Sequence, residues 1–273
     1  MLELPEVLNM SSQLNEAVIG KQVKCVLPPS KAHKFCWFNG EPQEYSAKLE
    51  NKKIVKAEGF GIFVEIEFEE GYKLAFNDGV NVRLIQREKV PKNYQLMIEF
   101  EDGMALVFTV AMYGGIFLHQ GEYDNEYYVK SKQALSPFSG EYEAYYKEKL
   151  AEVKPTLSAK GFLATEQRFP GIGNGVIQDI LFEAGIHPKR KIGNLSDLEK
   201  EQLFEAIITT LKAMAEQGGR NTEKDLYGNS GGYITKMSKL SQMGGCPNCG
   251  GLITKENFLG GSIYYCMTCQ PRD

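Results

Sequence analysis

Residues 61–76 read GIFVEIEFEEGYKLAF, and this stretch decides the fold class of the first half of the chain. Apolar side chains recur at every second position, as in a strand that buries one face. These positions are Ile62, Val64, Ile66 and Phe68. Because Glu-Glu-Gly at residues 69–71 is typical of a turn, we predict a hairpin, and similar short runs over residues 20–119 predict a β-sandwich or barrel.

The pattern becomes helical on both sides of this β-rich region. Apolar residues at helical spacing predict a leading helix from Leu4 to about Val18. Ser196 and Glu199 have the spacing of a capping box at the start of a later helix. The helical stretches of the second half are residues 141–153, 177–184 and 197–217. We therefore predict a multidomain α+β protein with an N-terminal β-sandwich.

Composition limits the function. The chain has 273 residues, a formal net charge of -4 and no apolar run near the roughly 18 residues of a membrane span. We expect a soluble, cytoplasmic protein with no membrane partner. The acidic balance argues mildly against nucleic acid as a partner, but basic residues gather in the C-terminal half, as at residues 187–191, and can form a basic face.

Four of the six cysteines form two Cys-x-x-Cys pairs near the C-terminus. They are Cys246, Cys249, Cys266 and Cys269. This spacing is typical of a structural zinc site, in which four thiolates surround the ion and leave no open position. We predict a zinc finger that folds around the metal and performs no chemistry. The alternative is two redox pairs or four unrelated thiols.

A glycine-rich turn, Phe169-Pro-Gly-Ile-Gly-Asn-Gly175, precedes the second of the predicted helices in this half. Free backbone amides at such a turn attract a phosphate, and Asn174 can add a side-chain donor. A simple connection between two helices is the alternative.

Three segments together resemble the formamidopyrimidine-DNA glycosylase and endonuclease VIII family. They are Glu3-Leu-Pro-Glu-Val7, the turn Gln167–Asn174 with Leu181-Phe-Glu-Ala-Gly-Ile-His-Pro188, and the cysteine module ending Cys269-Gln270. The resemblance implies a monomer that grips double-stranded damaged DNA and flips out the lesion, in the bacterial cytoplasm and at the nucleoid during repair. It implies three units: the β-sandwich with its leading helix (1–130), a helix-two-turns-helix DNA-binding domain (136–239) and the zinc-finger hairpin (240–273).

The same resemblance assigns DNA contacts to the glycine turn and to a later loop. Asn174 and the amides around Gly173 would hold a phosphate, with Gln167 and Arg168 near it. Arg220 would lie in a loop that faces the flipped base, or it is a solvated loop charge.

Catalysis is expected from Glu3, with Glu6 about one helical turn later. Family enzymes begin with a proline whose amine attacks the sugar, but Leu2 stands at that position. We expect Met1 to be retained, which displaces the free amine by up to about 3.8 Å and makes AP-lyase activity weak or absent. Glu3 can still activate water or protonate the leaving base. Alternatively, both acids simply favour the helix start.

Other positions depart from the family pattern. Gly61 stands where a DNA-contacting lysine is frequent, and Gly261 where an arginine precedes the third finger cysteine. Met112 and Tyr113 stand in the wedge segment, where they either fill the gap left by an extruded nucleotide or pack at a strand end.

The leading hypothesis is a base-excision repair glycosylase that hydrolyses the N-glycosidic bond of a damaged base with little strand cleavage. The first alternative is a catalytically inactive family member that binds damaged or abasic DNA. The second is a zinc-finger protein without a DNA role.

Overall fold

The computed structural model describes residues 2–77 and 79–272. Its first half is a β-sandwich of two sheets, with strand orders β1-β7-β8-β6 and β2-β9-β5-β4-β3. The strands are β1 (Val23–Leu27), β2 (Cys36–Phe38), β3 (Ile54–Phe60), β4 (Phe63–Phe68), β5 (Tyr72–Asn77), β6 (Val80–Gln86), β7 (Leu96–Phe100), β8 (Met104–Val110) and β9 (Gly114–Gln120). Side chains of both sheets share one core, in which the Phe76 and Phe108 rings meet edge to face at 5.5 Å.

The predicted hairpin is confirmed. Strand β4 pairs antiparallel with β5, and the connection between them contains Glu70 and Gly71, both with positive φ. Residues such as glycine adopt this left-handed backbone at little cost, which is why the Glu-Glu-Gly sequence can turn so tightly.

The leading helix α1 (Leu4–Val18) is confirmed with the predicted bounds. Most of its buried residues, such as Val7 and Leu14, belong to the sandwich core. Leu4, by contrast, belongs to the core of the helical half. The first turn of α1 therefore lies where the two halves of the molecule meet.

Six further helices lie along the rest of the chain that the structure describes. They are α2 (Tyr45–Leu49), α3 (Glu126–Gln133), α4 (Tyr142–Glu152), α5 (Ala159–Ala164), α6 (Val176–Glu183) and α7 (Asp197–Glu216). The predicted α4, α6 and α7 are confirmed, and Ser196 with Glu199 forms the predicted capping box. Helices α2, α3 and α5 were not predicted: α2 and α5 have only five and six residues, and α3, although as long as α6, lacks the apolar positions from which α6 was predicted.

The cysteine module is a hairpin of β10 (Ile253–Phe258) and β11 (Gly261–Cys266). It packs on the helical half, where the Gln178 side chain of α6 accepts a hydrogen bond from the Tyr264 amide at 2.9 Å. The loop after α7 returns to the first half, because Leu226 is fully buried in the sandwich core. The domain bounds at residues 130, 136 and 240 stay a prediction.

Candidate active site

A cleft of about 340 Å³ lies where four parts of the molecule converge. The start of the chain contributes Leu2 and Glu3, and the sandwich contributes Ile62 and the β8–β9 loop. The opposite wall is the glycine turn at residues 169–174 with the end of α5, and the β10–β11 turn closes one side. At this point an open space lies between the two halves, which elsewhere pack against each other.

Glu3 lies at the floor of this cleft and is only 2% exposed. Its carboxylate accepts hydrogen bonds from the backbone amides of Gly175 at 2.8 Å and Val176 at 2.7 Å, at the N-terminus of α6. A carboxylate is favourable there because these amides have no partner within the helix. Burial raises the pKa of Glu3, while the neighbouring Arg220 lowers it.

The glycines of the turn make this contact possible. A Cβ atom on Gly173 would lie 2.6 Å from a Glu3 oxygen, and one on Gly175 would lie 1.5 Å from the Arg220 guanidinium. The glycine-rich sequence thus admits a carboxylate from the first half of the chain. Glu3 occupies two of the free amides that the sequence suggested for a phosphate, so a phosphate would have to use those earlier in the turn.

Arg220 does not lie where it was expected. It is only 2% exposed, so the interpretation as a solvated loop charge is wrong. Its Nε and Nη2 donate to the Glu6 carboxylate at 3.0 and 2.7 Å, its backbone amide donates to Glu6 at 2.9 Å, and Nη1 lies 3.3 Å from Glu3. Arg220 is also absent from the described lining of the cleft, so its guanidinium faces the two carboxylates rather than the space for a base.

The glycine turn presents two buried polar atoms to the cleft. Gln167 Oε1 and Asn174 Oδ1 have no hydrogen-bond partner among the described residues, although both side chains line the cleft. Asn174 Nδ2 donates to the Ser262 carbonyl of the finger at 3.0 Å, which fixes the amide. Unpaired buried acceptors cost free energy, so these two oxygens are unsatisfied polar groups in the wall of the cleft.

Arg168 differs from the expectation that it would lie beside the phosphate site. Its guanidinium folds back and donates to the carbonyls of Gly161 at 3.2 Å and Thr165 at 3.1 Å. Arg168 therefore links the start of the turn to α5 and the residue that follows it, and it is not among the described residues that line the cleft.

The rim of the cleft is apolar and neutral. Met112 is 69% exposed and Tyr113 38%, so the interpretation of these residues as a packed strand end does not hold. Of the described residues that line the cleft, Glu3 alone is charged. Gly61 and Gly261 stand where a lysine and an arginine were expected from the resemblance, and neither position has space for a side chain. A Cβ on Gly61 would lie 2.6 Å from Ser131, and one on Gly261 would lie 2.9 Å from Asn174.

The four finger cysteines meet at one point. Their sulfur atoms all lie within 4.8 Å of one another, with Cys246 to Cys269 at 3.6 Å and Cys249 to Cys266 at 3.5 Å. A tetrahedral ion with metal–sulfur bonds of about 2.3 Å separates its ligands by about 3.8 Å. The cluster therefore has the size and the donor set of a four-thiolate metal site.

The architecture defines a two-lobed protein: a β-sandwich and a helical half enclose an acidic cleft, and a four-cysteine finger lies at its side. The family model described as the formamidopyrimidine-DNA glycosylase N-terminal domain matches residues 1–111. Formamidopyrimidine-DNA glycosylases of Bacillus cereus and Bacillus subtilis are 26% and 28% identical to this chain, in alignments that cover 100% of each chain. The chain is thus similar over its full length to formamidopyrimidine-DNA glycosylases, and its N-terminal part matches the model of that family.

Solved structures show the same fold. The Lactococcus lactis Fpg in complex with an abasic site containing DNA matches with a TM-score of 0.81 at 20% identity, over 98% of this chain and 99% of that one. A complex of the wild-type Lactococcus lactis Fpg with DNA that contains N7-benzyl-Fapy-dG matches with a TM-score of 0.82. No helix in the described part of this chain is both long and apolar enough to cross a membrane.

Proposed function

We propose that this chain is a DNA glycosylase of base-excision repair, which binds damaged double-stranded DNA and hydrolyses the N-glycosidic bond of a damaged base. The observation that carries the proposal is the Glu3 carboxylate at the cleft floor, held by two amides of α6. An acidic group fixed beside an open space that can receive an extruded nucleotide is the minimum that glycosyl hydrolysis requires.

In the proposed reaction Glu3 takes a proton from a water molecule as that water attacks the sugar C1′ atom. The bond between C1′ and the base nitrogen breaks, its electron pair leaves with the base, and the base then takes up a proton. Arg220 touches neither reactant in this scheme; it positions Glu3 and compensates the charge of Glu6. We therefore assign Arg220 as a positioning residue rather than a DNA contact.

The strand-cleavage step of the family is proposed to be weak or absent. It needs a terminal amine that forms an imine with the sugar, and Leu2 supplies no proline ring nitrogen at that position. The Leu2 side chain is 6% exposed and packs with the sandwich core. The expectation that Met1 is retained concerns a residue outside the described residues.

Zinc is the proposed ion of the four-cysteine site, because a closed tetrahedral set of thiolates is the usual structural zinc environment. The ion would hold the two Cys-x-x-Cys turns together and so position the β10–β11 turn at the cleft. We propose a cytoplasmic location, with association to the nucleoid during repair.

The test is excision from a panel of oligonucleotides with oxidised, alkylated and crosslinked bases, scored before and after alkali. We expect abasic sites that alkali, but not the protein alone, converts to breaks. Glu3→Gln should lower the rate by about 10²- to 10⁴-fold. The matched control is Glu16→Gln, an exposed acid on the same helix. If the protein binds these DNAs but releases no base from any of them, it is an inactive binder and the proposal is wrong.

A further inference from the structure

Beside the cleft, the sandwich exposes aromatic side chains that the proposed catalysis does not use. Phe35 is 48% exposed and Trp37 50%, and both belong to a segment next to the rim residues Met112 and Tyr113. We call these four residues the aromatic shelf. Large apolar groups exposed together indicate a binding surface, because a soluble protein otherwise buries such groups.

Strand pairing holds the shelf together. Strand β2 runs parallel to β9, with Cys36 opposite Gly114 and Trp37 opposite Gly115. The Gly114 amide donates to the Phe35 carbonyl at 3.0 Å, directly after Tyr113. Phe35 is thereby fixed beside the rim of the cleft although the two segments are far apart in the sequence.

Both aromatic side chains of this segment are exposed. Phe35 lies in the turn directly before β2, and within β2 the alternation of a strand places Trp37 on the face opposite Cys36 and Phe38. Cys36 and Phe38 are less exposed than Phe35 and Trp37. The Phe38 ring packs edge to face on Tyr45 at 6.2 Å. The face of β2 that carries Trp37 is therefore exposed, because the opposite face packs toward the core.

The segment that carries Phe35 and Trp37 is positively charged. Lys31 and Lys34 are exposed, and Lys34 Nζ lies 5.2 Å from the centre of the Phe35 ring. Residues 28–38 contain no aspartate or glutamate, although the chain as a whole has a net charge of -4. Aromatic rings interleaved with lysines are the composition of surfaces that hold single-stranded nucleic acid, because rings stack on bases while cations bind phosphates.

We propose that the aromatic shelf stacks unpaired nucleobases of the DNA that flank the extruded lesion. This inference rests on the proposed function, because that function places a lesion in the cleft. Binding of DNA to the shelf can nevertheless be tested with undamaged DNA. Two observations favour a DNA strand over a protein partner as the ligand. The shelf is continuous with the rim of the cleft, and its segment carries the cations of Lys31 and Lys34. The protein should then favour lesions in bubbles or single-stranded segments over the same lesions in a closed duplex.

Trp37 is the only tryptophan of the chain and lies in the shelf, so its fluorescence reports directly on stacking. Purified full-length protein is titrated with an undamaged oligothymidylate and, separately, with an undamaged duplex of equal length. We expect the single strand to quench Trp37 emission at a lower concentration than the duplex. Equal quenching by both, or none by the single strand, overturns the proposal.

The Phe35→Ala variant keeps the reporter and removes one ring. We expect its Kd for the single strand to rise about fivefold or more, the usual effect of losing one stacking ring. The control is Tyr227→Ala, an aromatic with 51% exposure in a loop bound to Gln13, about 15 Å along α1 from Glu3. An unchanged Kd for Phe35→Ala, with normal far-UV circular dichroism, also overturns the proposal.

Excision assays on the same preparations separate the two claims. Base release from a duplex without preferential single-strand quenching means that the shelf is refuted and the glycosylase stands. Quenching that depends on Phe35, without release of any base, means that the shelf stands and the proposed function fails.

Discussion

The floor and the rim of the cleft differ in how they handle charge. At the floor, Glu3, Glu6 and Arg220 are 2%, 5% and 2% exposed and compensate one another. The described rim carries no charged side chain, whereas Lys31 and Lys34 lie in the segment that carries Phe35 of the aromatic shelf. Under the proposed function, charge in this cleft therefore serves catalysis and the positioning of Glu3, and DNA would be bound by neutral contacts and by surfaces outside the cleft.

The largest expected effect tests whether the order of the finger is independent of the floor. Cys266→Ser deletes one thiolate of the four, and the finger should lose its ordered hairpin if the proposed zinc ion holds it together. Limited proteolysis should then cut within residues 240–272, with the rest of the chain protected. Cys36→Ser, outside the cluster, should leave the finger resistant. Cleavage throughout the chain would show that the floor also depends on the finger.

The floor itself is tested by Arg220→Met, which leaves two buried carboxylates without their cation. Breaking a buried ion pair in this way costs about 3–5 kcal/mol in the free energy of unfolding. Urea denaturation measures the loss, with Lys224→Met as the control on an exposed cation of the same loop. A loss below about 1 kcal/mol would contradict a compensated floor.

The pH dependence of excision gives a smaller effect with a defined sign. Burial raises the pKa of Glu3, and the charge of Glu6 raises it further. Because the ionised carboxylate accepts the proton, excision should fall as the pH drops through this raised pKa. Glu6→Gln should therefore move the acid limb of the single-turnover rate to lower pH. Glu16→Gln should not move it, and an upward shift in Glu6→Gln would refute the assigned coupling.

The smallest effect concerns the rim. Met112→Lys adds one exposed cation there, and the slope of log K against log salt for duplex DNA should steepen by about 0.9. Met243→Lys is the control, because Met243 lies at the far end of the finger hairpin, roughly 20 Å from the β10–β11 turn. An equal change in both variants would mean that the rim does not contact the backbone.

Several features of the site were predictable because they are local. The spacing of the cysteines predicted that their four sulfur atoms cluster, and the motifs around Glu3 and Asn174 contain two residues that the structure brings to one cleft. The role of Arg220 was not predictable in this way. Its main partner, Glu6, is 214 residues away in the sequence, and a Gly-Gly-Arg sequence after a helix is equally compatible with an exposed loop.

By itself, the sequence determined the elements whose patterns are contiguous in the chain: the β4–β5 hairpin, α1, α7 with its capping box, and the paired cysteines. Only the tertiary structure decided that Glu3 caps α6, that Arg168 turns away from the cleft, and that Phe35 stands beside Tyr113. The physical reason is that periodicity and spacing record which face of an element is buried. Which distant element covers that face depends on how whole layers pack.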